Sequence, residues 1–221
     1  MRLIIAVAMA AFGLAVVPGP TVVAVPGVCP PICDAIPDAA WIAPTEIPLY
    51  EVYRWPGLAG LAVTAPAPRF AFEEVCAAPP VPDDPREYVV AAKAEVITRA
   101  GQWQMQAQVL HWRGPTTETG PIVRTVVSDA RTRLRGCQQT APLVSPSLTT
   151  AEPERFAAVI SVAGAKVVHQ YLLGDPDSGS VVELALWSPL PAEVPWPPVA
   201  DDRVFDAMAA PLCGAYLGSC R

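Results

Sequence analysis

Six cysteines, two histidines and one short serine and aspartate loop are the residues whose types and spacing invite chemistry in this chain. Cys29, Cys33, Cys76, Cys137, Cys213 and Cys220 form an even set, which in an exported protein predicts three disulfides with fifteen conceivable pairings. A four-thiolate zinc site built from Cys29, Cys33, Cys213 and Cys220 is the competing reading. Neither pair has the C-x2-C spacing of a zinc knuckle, so no metal is expected. His111 and His169 each sit in an alternating strand pattern, where a packed or surface histidine is the usual occupant. A secreted hydrolase would need one of them beside an acid and a hydroxyl, such as Asp175 or Asp177 with Ser178 or Ser180. There is no G-x-S-x-G elbow, and no catalytic residue is assigned.

The run Gly174-Asp175-Pro176-Asp177-Ser178-Gly179 also has the first two acids of a calcium loop. Leu186 stands where the closing glutamate belongs, and the composition is that of a hairpin turn. Glu73 and Glu74, Asp83 and Asp84, and Asp201 and Asp202 are adjacent pairs. Neighbours on a strand point to opposite faces, which argues against paired catalytic carboxylates. Phosphate-binding glycine motifs are absent, and no cofactor is expected.

Met1 and Arg2 precede an apolar run from Leu3 to Val17, followed by Pro18, Gly19 and Pro20, with small residues at Val22 and Ala24. This has the layout of a secretory signal cleaved after Ala24. It predicts a secreted or cell wall-associated protein with no integral membrane segment after cleavage. Cys29 follows Val28, not the small residue that lipid attachment requires. Without Arg2 the mature chain has 15 minus 1, or 14, Lys and Arg against 21 Asp and Glu. That acidity excludes nucleic acid as the main partner. Only Lys93 and Lys166 are lysines, and Ala, Pro and Val abound, which suggests a GC-rich, actinobacterial genome.

Positioning these residues falls to short elements. Residues 25–87 form a proline-rich irregular arm, too apolar for a disordered linker and expected to pack on a domain spanning 88–221. Gln102, Gln104, Gln106 and Gln108 alternate with Trp103, Met105, Ala107 and Val109, which predicts a half-buried strand. It pairs with 88–97 through a turn at Ala100 and Gly101. A helix fits 121–135, starting at Pro121 and ending at Gly136. A polar loop over 138–153 leads to strands at 156–162, 165–173 and 181–187. A last helix follows Asp201 and Asp202 as far as Pro211, which bends or ends it. The fold class is α+β: an antiparallel sheet with helices packed on one face, an N-terminal arm and disulfide stabilisation.

Trp41, Trp55, Trp103, Trp112, Trp187 and Trp196 with Tyr50, Tyr53, Tyr171 and Tyr216 are many large rings for one domain. Core packing explains most of them. The sharper reading is a groove between sheet and arm lined by Trp103, Trp112, Tyr171 and Trp187. Cys29-Pro30-Pro31-Ile32-Cys33-Asp34, Ile47-Pro48-Leu49-Tyr50 with Tyr53-Arg54-Trp55-Pro56, and Ala209-Ala210-Pro211-Leu212-Cys213 together resemble exported mycobacterial proteins of uncharacterised function. More loosely, residues 88–220 are similar to PknH-type extracellular sensor domains and related lipoproteins. That resemblance implies a disulfide-bonded domain with a cleft suited to an envelope ligand; lipobox, kinase and transmembrane helix are missing, so it implies neither signalling nor anchoring. The expected function is non-catalytic binding of an apolar small molecule or lipid, or of an envelope protein.

Overall fold

The computed structural model describes residues 35–216. The expected signal segment and Cys29, Cys33 and Cys220 lie outside the described residues. Seven strands run antiparallel throughout: β1 (Val63–Thr64), β2 (Val90–Val96), β3 (Gln104–His111), β4 (Val144–Ala151), β5 (Arg155–Val162), β6 (Lys166–Asp175) and β7 (Ser180–Pro189). Their order across the sheet is β1-β2-β3-β7-β6-β5-β4. The helices are α1 (Tyr50–Tyr53), α2 (Ala71–Val75), α3 (Thr116–Arg135), α4 (Cys137–Thr140) and α5 (Asp201–Ala215). The α+β class with an antiparallel sheet is as the sequence predicts.

The helices do not share one face. On one side Val123, Val126, Val127, Ala130 and Leu134 of α3 meet Phe156, Ala158, Ile160, Val168 and Leu172. On the other, Val204, Phe205, Met208 and Leu212 of α5 share a core with Met105, Ala107, Val109, Tyr171, Leu184 and Leu186. Alternate residues of each central strand therefore enter different cores. The arm completes both layers. Ile36, Trp41, Ile42, Ile47 and Leu58 pack on the α5 side, whereas Phe70, Phe72 and Cys76 pack on the α3 side. The chain crosses from one face to the other at β1, which pairs with β2 through Val63 opposite Lys93 and Thr64 opposite Ala92.

Several local expectations need correcting. The β3 strand is buried on both faces, with Gln108 fully inaccessible and Gln106 6% exposed, because the arm covers the side that alternation assigned to solvent. Helix α3 starts at Thr116, so Pro121 lies inside it; Pro115 precedes the helix in extended conformation and its carbonyl accepts from Glu118 and Thr119. In α5, Asp201 and Asp202 occupy the first turn after Ala200, and the helix continues through Pro211 and Gly214 to Ala215. The supposed loop 138–153 contains α4 and the edge strand β4. Pro146, a register shift between Leu148 and Thr150, and alternating exposed residues suit an edge strand that must not recruit another.

Packing of α3 on β6 depends on one glycine. A Cβ on Gly174 would lie 2.8 Å from methyl carbons of both Val123 and Val127. Cys76 and Cys137 form a disulfide across 61 residues, tying the arm to the end of α3. The chain-entropy argument gives that closure about 4 kcal/mol. The paired Cys76→Ala and Cys137→Ala variant is expected to lose a stability of that order in urea unfolding; a loss below about 1 kcal/mol would contradict the role assigned to this staple. Cys213 is disulfide-bonded as well.

Candidate functional site

The β3 to β7 seam holds one of two buried polar networks that join the arm to the domain. Glu183 on β7 is fully buried beside Gln108 of β3, its partner in register. Its Oε1 accepts from the Ala71 backbone N–H at 2.6 Å and from Gln170 at 3.0 Å. Its Oε2 accepts from Gln106 at 3.1 Å and from Gln108 at 2.5 Å. Gln108 gives its other hydrogen to the Arg69 carbonyl at 2.6 Å. One carboxyl group thus holds the 69–71 segment of the arm down on the sheet. Burial pushes its pKa up to about 7, against the pull of these donors. The Oε1 atoms of Gln108 and Gln170 are buried without a hydrogen-bond partner among the described residues.

A second buried network adjoins it. Glu73 accepts from the Phe70 N–H at 2.8 Å and is gripped by both Nη atoms of Arg86 at 2.7 and 3.0 Å. Arg133 of α3 also bonds Glu73, and Asp84 closes on Arg86 from the other side at 2.6 Å. The Arg86 guanidinium lies 4.8 Å from the centre of the Phe70 ring. The beginning of α2 is thereby fixed against α3. A cavity of about 20 Å³ among these side chains has room for a single water.

The two histidines lie at separate ends of the α5 face. The His111 Nδ1 shares a hydrogen bond with the Ser180 hydroxyl at 3.0 Å, and its ring stacks on Tyr216 at 4.2 Å. His169 stacks on Trp196 at 3.6 Å and touches Trp103 at 5.6 Å between ring centres. Burial lowers the pKa of each to about 4; a backbone hydrogen bond to Ser178 opposes it at His111, where the Arg113 charge adds to it, and Asp201 opposes it at His169.

Register places Asp175 opposite Ser180 and Ser180 opposite His111. This brings an acid, a hydroxyl and a histidine into one row, with serine in the middle. A nucleophilic triad needs histidine in the middle, so that the acid can orient the base. Asp175 instead accepts from the Asp177 N–H at 3.2 Å within the turn, and Ser180 has no exposed surface for a substrate to reach. His169 faces rings instead of a hydroxyl. The 174–179 segment is a tight turn, with Gly179 at φ +64°.

The four rings expected to line a groove are divided by the sheet. Trp103 and Tyr171 belong to the α5 side, whereas Trp112 and Trp187 belong to the α3 side. Trp103 donates to the Val194 carbonyl at 2.7 Å and Trp112 to the Pro85 carbonyl at 3.0 Å, so each indole anchors a covering segment. Trp187 lies under the Lys166 ammonium at 5.3 Å. Sequence reasoning missed Glu183. A lone acid within Val181–Leu186 was the available signal, since a charge in a central apolar strand must find donors.

Among the described residues no group of three or more His, Cys, Asp and Glu side chains is placed to hold a metal ion. No helix among them is long and apolar enough to cross a membrane. No family model, curated protein or solved structure matches this chain.

Proposed function

We propose that this is an exported, non-catalytic binding protein whose apolar ligand enters between the sheet and α5. The observation that carries this reading is the make-up of the sheet face that α5 and the arm cover together. Ala92, Ala94, Ala107 and Ala157 keep it low, while Met105, Val109, Tyr171, Leu184 and Leu186 make it apolar. Small residues on a sheet leave width for a flat or chain-like guest once the covering helix shifts, and apolar sites of this kind need few polar anchors. The Cys76–Cys137 disulfide suits an oxidising compartment, in keeping with the export signal read from the sequence. The serine-centred row of Asp175, Ser180 and His111 weighs against the hydrolase alternative.

Native mass spectrometry without reduction, on protein recovered from its own host's culture medium, tests the proposal. The expected species is the chain cleaved after Ala24, carrying three disulfides and an additional apolar mass that organic extraction removes. The same processed chain with nothing bound, and no uptake of fatty acid or phospholipid when these are supplied, overturns the ligand reading. An uncleaved chain with free thiols overturns export.

A further inference from the structure

The chain contains two histidines, and both lie beneath the segment that covers the α5 face. Residues 190–216 reach that face through Val194, whose carbonyl accepts from Trp103, and then through Trp196, which stacks on His169 with planes 9° apart. Helix α5 follows, its Asp201 accepting from the Thr150 hydroxyl at 2.7 Å and its Phe205 packed edge-on against Tyr171. Immediately after the helix, Tyr216 stacks on His111 with planes 11° apart. A buried imidazole therefore stands under each end of the cover.

We infer that residues 190–216 form an acid-released cover, held closed by neutral His111 and His169 and lifted when both take up protons. An imidazolium enclosed between a ring and an apolar sheet has lost the water that would solvate it. Moving Trp196 or Tyr216 aside restores that water. Folding depresses both pKa values from 6.5 to about 4, so the unfolded or opened form binds the proton more tightly. The closing contribution is complete above about pH 6.5 and is lost as pH falls through about 4.

The surroundings make the two ends unequal. Facing His111 are the Arg113 charge, the Ser180 hydroxyl, the Ser178 backbone and the Tyr216 phenol, with Asp175 beyond Ser180 in the row. The Ser178 backbone favours the proton there, and the Arg113 charge opposes it more weakly. Facing His169 are Trp103, Trp196 and, from α5, the Asp201 carboxylate, which favours the proton. Arg155 lies over Phe205 and is occupied by Glu152 and Asp202. An imidazolium also keeps some attraction to the indole face of Trp196.

Hydrogen exchange on the full chain at pH 7 and pH 4, corrected for intrinsic rates, provides the test. Amides of 201–215 are expected to exchange about tenfold faster at pH 4, while those of β5, β6 and β7 keep their protection. The variant carrying His111→Phe and His169→Phe retains flat rings for stacking and has nothing to protonate; it should show no such change. Unchanged protection of 201–215 in the natural chain overturns the inference. So does equal loss in the variant, or simultaneous loss across the whole sheet, which is global acid unfolding. Should the variant fail to fold, imidazole titration by NMR in the natural chain decides, because release must share its midpoint with at least one histidine. The inference rests on the ligand reading only for what occupies the opened layer. Release at pH 4 with uptake of a fluorescent fatty acid supports both; release without uptake supports the cover and overturns that ligand.

Discussion

Replacing Glu183 with alanine is expected to remove about 4–5 kcal/mol of stability, enough to unfold a marginal domain. Four donors converge on this carboxyl: the Ala71 N–H and the amides of Gln106, Gln108 and Gln170. Each stranded buried donor costs about 1–3 kcal/mol, and the group includes the backbone that docks the arm on the sheet. Equilibrium unfolding in urea measures the loss; a change below about 1 kcal/mol would mean that the network is dispensable. Glu183→Gln keeps the shape and exchanges one acceptor for a donor that the unpartnered Oε1 atoms of Gln108 or Gln170 can take. It should cost much less than alanine.

The glutamine variant also isolates a pH dependence. Folding raises the Glu183 pKa from 4.5 to about 7, so the folded state holds the proton more tightly than the unfolded chain. Its stabilising contribution is complete below pH 4.5 and is lost as pH rises through about 7, a change of about 3 kcal/mol. Relative to the variant, the natural protein should weaken over that interval. The histidines act with the opposite sign between pH 4 and 6.5, so only the difference between the two proteins reveals the carboxyl. Parallel stability curves would show that Glu183 stays ionised throughout.

Glu73→Ala is expected to cost about 3–5 kcal/mol, because it leaves the Arg86 guanidinium buried with Asp84 as its remaining acid. Glu73 is 1% exposed and also accepts from the Phe70 N–H. Arg133→Ala should be much milder, since its side chain reaches the rim at 18% exposure and Arg86 still neutralises Glu73. Thermal unfolding of the two variants ranks them. If Arg133→Ala proved as damaging as Glu73→Ala, the central role given to Glu73 would be wrong.

Periodicity carried the sheet legibly where strands were strongly patterned. The residues of β2, β3, β5, β6 and β7 stand out by β-branched content and alternation, and the turn at Gly101 falls where the sequence places it. The edge strand β4 escaped because its inward positions hold Val144, Pro146, Leu148 and Thr150, too weakly apolar to distinguish a strand from a loop. The division of helices between faces escaped for another reason. Leu172, Val181 and Leu110 enter one core while Tyr171, Val182 and Val109 enter the other. Such uninterrupted apolar runs signal burial on both sides, and the glutamines of β3 concealed this until Glu183 supplied their partner. The aromatic residues were visible as a set, but which rings meet depends on register: Trp103 with Trp196, and Trp112 on the opposite side.

The seam between β3 and β7 sets the timetable of assembly. Gln108 and Glu183 are 75 residues apart, yet their strands are hydrogen-bonded neighbours near the middle of the sheet. As the chain emerges from its N-terminus, β1 and β2 flank one side only, and β3 has no second neighbour and no carboxyl for its glutamines until β7 follows. Closing such a distant pair is slow, and the first half of the molecule stays open and threadable until the last strand is made.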